Sequence, residues 1–95
     1  MKTINVRSRV TLTKPAEERH VDVMRAAANT LTNDCASVRA FVSPENNCAV
    51  VAEFTMNKAR QVDVVDRIMR EFAMYMHDYS TQDVWFPKTK ASAPK

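Results

Sequence analysis

Arg7 and Arg9 stand two residues apart in the opening segment MKTINVRSRVTL, a spacing that puts both guanidinium groups on one face of an extended strand. Read as strands, three later segments send Arg39, Phe41, Val51, Glu53, Asp83 and Trp85 to that same side of a sheet. A face that mixes Trp, Phe and Val with arginines has the composition of an interface. The plainer chemistry is a wet surface with cross-strand ion pairs, Glu53 beside Arg7 or Arg9, each worth about a few tenths of a kcal/mol. The interface is the favoured reading, and its candidate binding residues are Arg7, Arg9, Arg39, Phe41, Val51, Glu53 and Trp85.

The remaining reactive side chains do not assemble into a motif. Cys35 and Cys48 fall near opposite ends of an expected hairpin, too far apart to bridge, and free thiols in strands are usually small buried hydrophobes. With His20 and His77 they form no metal-ligand spacing, so no metal and no cofactor is expected. His77, in MHDY near the end of a helix, suits the negative end of the helix dipole; as a general base it lacks an orienting carboxylate, because Asp78 is adjacent in sequence and points elsewhere. His20 lies early in a helix without an evident partner. No catalytic residue is assigned.

Glycine is absent from the chain, where average usage of about 7% would supply about six or seven. Walker loops, dinucleotide fingerprints, glycine nucleophile elbows and the glycine-rich phosphate loop of acylphosphatase-type enzymes are thereby excluded, since each needs backbone conformations that glycine supplies cheaply. Asparagine is then expected at left-handed turn positions, and Asn33, Asn46, Asn47 and Asn57 all fall at element boundaries.

The elements that must position these groups follow from periodicity. From Thr3 to Thr13, Ile4, Val6, Val10 and Leu12 alternate with Asn5, Arg7, Arg9 and Thr11, with Ser8 on the apolar side. Pro15 suits a first helical turn, followed by Glu17 and Glu18; Val21, Met24, Ala28 and Leu31 then recur at helical spacing up to about Asn33. Residues 35–56 read as a hairpin around SPENN, with a three-residue loop Pro44–Asn46 that pairs Val42 with Cys48 and Ala40 with Val50. Asn57 is the expected N-cap of a second helix running to about Tyr79, with Val62, Val65, Met69, Phe72, Met76 and Tyr79 as its stripe and Val64, Ile68, Ala73 and Met74 widening it. The methionines suit core filling. Thr81 to Phe86 forms a last strand that sends Val84 and Phe86 inward and ends at Pro87.

The order β-α-β-β-α-β predicts an α+β, ferredoxin-like sandwich: a four-stranded antiparallel sheet with two helices on one face, a layout compatible with pairing as a dimeric α+β barrel. Residues 1–87 form one domain and 88–95 a flexible basic tail. Hydrophobic content of 45% and charged content of 26% suit a folded domain. No apolar run is long enough to span a bilayer and no signal peptide is evident, so the cytoplasm is the expected location. A chain of 95 residues has a thin core. A homodimer or higher oligomer is therefore expected, through the open sheet face or through the helix flank around Val64 and Met74.

Formal charge is +3, yet Lys88, Lys90 and Lys95 lie in the tail, which leaves eleven basic against eleven acidic residues in 1–87. The central strands also lack the stacking aromatics of RNA-recognition modules of this topology, so nucleic acid is an unfavoured partner. Across about residues 3–87 the chain resembles, in layout alone, small dimeric α+β-barrel proteins, among them cofactor-independent monooxygenases; the resemblance implies joining through open sheet faces and transfers no catalytic residue. The first reading is a non-enzymatic binding or regulatory module whose small-molecule or protein partner the residues do not identify. The alternatives are a cofactor-independent enzyme with its site at the dimer cleft, and a nucleic-acid binder.

Overall fold

The computed structural model describes residues 2–75 and 79–88, with Met74, Tyr75, Tyr79 and Ser80 described by their backbone alone. The elements are β1 (Thr3–Leu12), α1 (Glu18–Leu31), β2 (Arg39–Val42), β3 (Ala49–Asn57), α2 (Asp63–Tyr75) and β4 (Tyr79–Trp85), with 3-10 turns at Cys35–Ser37 and Lys58–Arg60. The sheet is antiparallel in the order β2-β3-β1-β4. Both helices lie on one face, and this is the α+β ferredoxin-like sandwich that the periodicity predicts. No described helix is long and apolar enough to cross a membrane.

The core lies between the sheet and the helices. Val6, Val10, Leu12, Val50, Ala52, Phe54 and Met56 come from the central strands, Met24, Ala27, Ala28 and Leu31 from α1, and Val64, Ile68 and Phe72 from α2. In α1, His20 is fully buried and takes the first-turn place expected for Val21, which is only half-buried. Its Nδ1 accepts the Glu17 N–H at 2.9 Å, closing the start of the helix. The helix begins later than expected, with Glu17 as N-cap, so Pro15 lies outside it. The Arg19 guanidinium, hydrogen-bonded to Glu17 at 2.8 Å, holds that carboxyl below its ordinary range.

The stripe of α2 is rotated from the expected one. Val64, Ile68 and Phe72, spaced by four, are buried, whereas Val62 is 86% exposed and Val65 is also exposed. Chains with apolar residues on more than half of a helix leave the phase undetermined by period alone, and packing against β4 and α1 selects it. The surplus apolar flank is thus Val62 and Val65, not Val64. Met76, His77, Asp78 and the tail beyond Lys88 lie outside the described residues, and Tyr79 belongs to β4, opposite Leu12, instead of α2. Asn57 caps the 3-10 turn before α2, accepting from Ala59 N–H at 2.9 Å.

The hairpin register is displaced by two residues: Val42 faces Val50 and Ala40 faces Ala52, and the loop occupies 44–48. The shift preserves which side chains face the core. Its cause is conformational, because the three-residue loop needs a left-handed Asn46 and no described residue has positive φ. Side-chain turns do the work instead: Asn46 Oδ1 accepts from Cys48 N–H at 2.9 Å, Ser43 Oγ from Glu45 N–H at 3.2 Å, and Thr32 Oγ1 from Asp34 N–H at 3.0 Å. The expected left-handed asparagines are therefore absent from the described residues. Cys35 is exposed in a 3-10 turn and Cys48 half-buried in the loop, both unbridged and neither in a strand.

Ile68→Ala is expected to lose about 2–5 kcal/mol and Phe72→Ala about 3–5 kcal/mol, whereas Val62→Ala changes stability by less than about 0.5 kcal/mol. Urea unfolding midpoints with unchanged slopes check this; equal losses at Val62 and Ile68 would place the stripe on the other face.

Candidate functional site

The sheet register brings the candidate residues into two rows that run straight across all four strands. Arg39, Glu53, Arg7 and Trp85 form one row; Phe41, Val51, Arg9 and Asp83 form the next. All lie on the face opposite the helices, as the alternation predicts. Cross-strand neighbours on one face sit about 4.5–5.5 Å apart at Cβ, close enough for each row to act as a unit.

Glu53 is the central group, only 6% exposed although no helix covers it. Arg39 Nη1 donates to its Oε1 at 3.1 Å, and Arg7 Nε stands 3.8 Å from its Oε2. Val51, beside it, is also buried, so neighbouring side chains of the same face shield both. Arg9 pairs with Asp83 at 2.7 Å instead of with Glu53. The guanidinium carbons of Arg7 and Arg9 lie 5.7 and 5.1 Å from the Trp85 ring centroid, and that of Arg39 lies 5.4 Å from Phe41. Within the two rows, three guanidinium groups face two carboxylates, leaving one positive charge in excess.

At the β4 edge this face carries an open depression of about 360 Å³ lined by Arg7, Trp85, Phe86 and Pro87. Asn5 Nδ2 donates to the Pro87 carbonyl at 3.3 Å and ties the segment after β4 back to β1. The Nε of Arg7 is buried without a hydrogen-bond partner. On the helix side of the same strands, Ser8 Oγ and the Gln82 amide are buried without partners too, opposite Val84 and Val10 respectively.

Phe86 was expected to point inward but is exposed and lines the cavity. The signal available was Pro87, which restricts the residue before it and ends the ladder, so alternation no longer sets the direction of Phe86. His20 is a buried capping group. His77 lies outside the described residues, and among those described no three His, Cys, Asp or Glu side chains could hold a metal ion. The aromatics of the open face, Phe41 and Trp85, stand on the edge strands, not on the central ones that RNA-recognition modules use.

No family model matches this sequence, and no curated protein does. Among solved structures the chain is similar to the "putative Antibiotic biosynthesis monooxygenase" of Chloroflexus aurantiacus J-10-fl, at a TM-score of 0.56 and 9% identity, covering 90% of this chain and 93% of that one. The likeness is one of fold, and the neighbour's name is an enzyme's. It overturns the order in which the sequence ranks the functions. The finding speaks against the non-enzymatic binding or regulatory module and sides with the enzyme alternative.

The geometry around Glu53 generates a non-additive expectation. Arg7→Ala or Arg39→Ala alone leaves one guanidinium beside the buried carboxylate, whereas the double replacement strands it. The double variant should lose about 1 kcal/mol or more beyond the sum of the singles. A double-mutant cycle by urea unfolding measures the excess, and strict additivity would show that the two arginines act independently of Glu53.

Proposed function

We propose that this chain is a small enzyme of the dimeric α+β-barrel type that works without a bound cofactor, with its site at the cleft where the open faces of two copies meet. The observation that carries the reading is the cavity at Arg7, Trp85, Phe86 and Pro87. A depression of several hundred Å³ bearing a charged group and aromatic rings takes the usual form of a small-molecule site once a second copy closes over it. The fold shared with the Chloroflexus protein supports it, and that protein's name supplies monooxygenation as the reaction class. The glycine-free chain contains no dinucleotide loop, which agrees with chemistry that draws its electrons from the substrate.

In such a reaction a substrate CH2 flanked by activating groups loses a proton, and its anion reacts with dioxygen. The CH2 becomes C=O, one oxygen atom entering and the other leaving as water, so the substrate supplies all the electrons. The role open to Arg7 is to hold a negatively charged substrate and to stabilise the charge that develops beside it. Dimerisation rests on the thin core and on Trp85, a large aromatic left 42% exposed on the open face. Residues 1–87 form the single catalytic domain, and a cytoplasmic setting suits the two unbridged cysteines.

Sedimentation at tens of micromolar should show a dimer, and Trp85→Ala should shift it to monomer while thermal unfolding stays cooperative. A wild-type monomer at that concentration removes the cleft. Dioxygen uptake with an enolisable aromatic substrate, without reductant and with a chelator present, should depend on the protein and fall about a hundredfold or more in Arg7→Ala. Uptake that requires added flavin, nicotinamide or metal would overturn the cofactor-free mechanism.

A further inference from the structure

We infer that the cavity at the β4 edge takes a planar aromatic anion in which the acidic group is attached directly to the ring, of the aryl carboxylate class. This names the ligand of the proposed site and rests on that cavity being the site.

Arg7 is the guanidinium with capacity left for a ligand. Arg9 is engaged by Asp83 at 2.7 Å and Arg39 by Glu53 at 3.1 Å, whereas Arg7 stands 3.8 Å from Glu53, beyond hydrogen-bond reach, with its side chain 39% exposed. One positive charge in excess over the two rows favours an anion, and the planar fork of arginine matches a carboxylate in bidentate geometry. The other walls are Trp85, Phe86 and Pro87, flat and apolar. They suit a ring, which can stack offset or edge-on against the aromatics. The two features lie close together. With the guanidinium carbon 5.7 Å from the Trp85 centroid, a ligand that carries its acid directly on the ring can engage both groups. An aliphatic acid leaves the aromatic walls unmatched.

The test is equilibrium binding of 2-naphthoate, 2-naphthalenemethanol and cyclohexanecarboxylate to the full-length protein, by calorimetry and by the fluorescence of Trp85, the chain's only tryptophan. Naphthoate should bind and quench Trp85, and the uncharged and the non-aromatic analogues should each bind at least about tenfold more weakly. Arg7→Gln should weaken naphthoate about tenfold and leave the alcohol nearly unchanged. Equal affinity for naphthoate and the alcohol, or naphthoate binding that leaves Trp85 fluorescence unaltered, or no naphthoate binding at millimolar concentration, would overturn the assignment. Should Arg7→Gln fail to fold, the three-ligand comparison on the unaltered protein decides alone. Binding is read without turnover, so the two readings fail separately. Selective naphthoate binding with no dioxygen uptake on any aryl substrate would sink the enzyme and leave the ligand class, whereas uptake with no preference for the anion would do the reverse.

Discussion

A carboxylate buried in the middle of an uncovered sheet face constrains most of what surrounds it. Glu53 sits on a central strand, nearly inaccessible, and a charge in that position is tolerable only with opposite charge close by. Arg39 and Arg7 supply it from the strands on either side, and their positions follow from register alone, since both stand directly opposite Glu53. Once Arg7 is drawn toward Glu53, its guanidinium also lies over Trp85, the next residue in the row. The wall of the depression and the ion pair are thus two sides of one arginine, which approaches the carboxylate without a hydrogen bond to it.

The lack of glycine acts on the connections in a comparable way. Tight two- and three-residue hairpin loops need left-handed residues, and this chain accommodates the β2–β3 reversal with a longer loop fastened by Ser43 and Asn46 side chains. The same loop is tied to the end of β1, where Leu12 N–H donates to the Cys48 carbonyl at 2.7 Å and Ala16 N–H to the Asn47 carbonyl at 2.8 Å. Those bonds hold the approach to α1, whose first turn closes on the buried His20. An imidazole that would draw notice as a catalytic candidate serves as a structural cap.

A superfold restricts function weakly, and the two faces of this sheet illustrate why. The helix side is a core of aliphatic and aromatic side chains that any sequence of this fold must build. The opposite side is free to vary, and here it carries the charged rows, the exposed Trp85 and the cavity. The likeness to the Chloroflexus protein is confined to the architecture at 9% identity. The case for small-molecule chemistry therefore rests on the particular residues of the open face.

Strand alternation settled much of this in advance. Period-two patterning in β1 and β3 assigned Val6, Val10, Val50 and Ala52 to the core and Arg7, Arg9, Val51 and Glu53 to the other face, because burying one face penalises every alternative parity. Parity survived even a two-residue error in the hairpin register. Three things needed the tertiary structure. The phase of α2 was undetermined because apolar residues spread round most of its circumference, and only packing chose Val64, Ile68 and Phe72 over Val62 and Val65. The burial of His20 was hidden by its polarity, which counts against the core until a backbone partner is found. The cavity was not legible at all, since it joins Arg7 to residues almost eighty positions away, and Phe86 turned outward only where the ladder ended at Pro87. Local sequence fixes which way a side chain faces within an element; which side chains from distant elements meet depends on register and packing, and those are long-range.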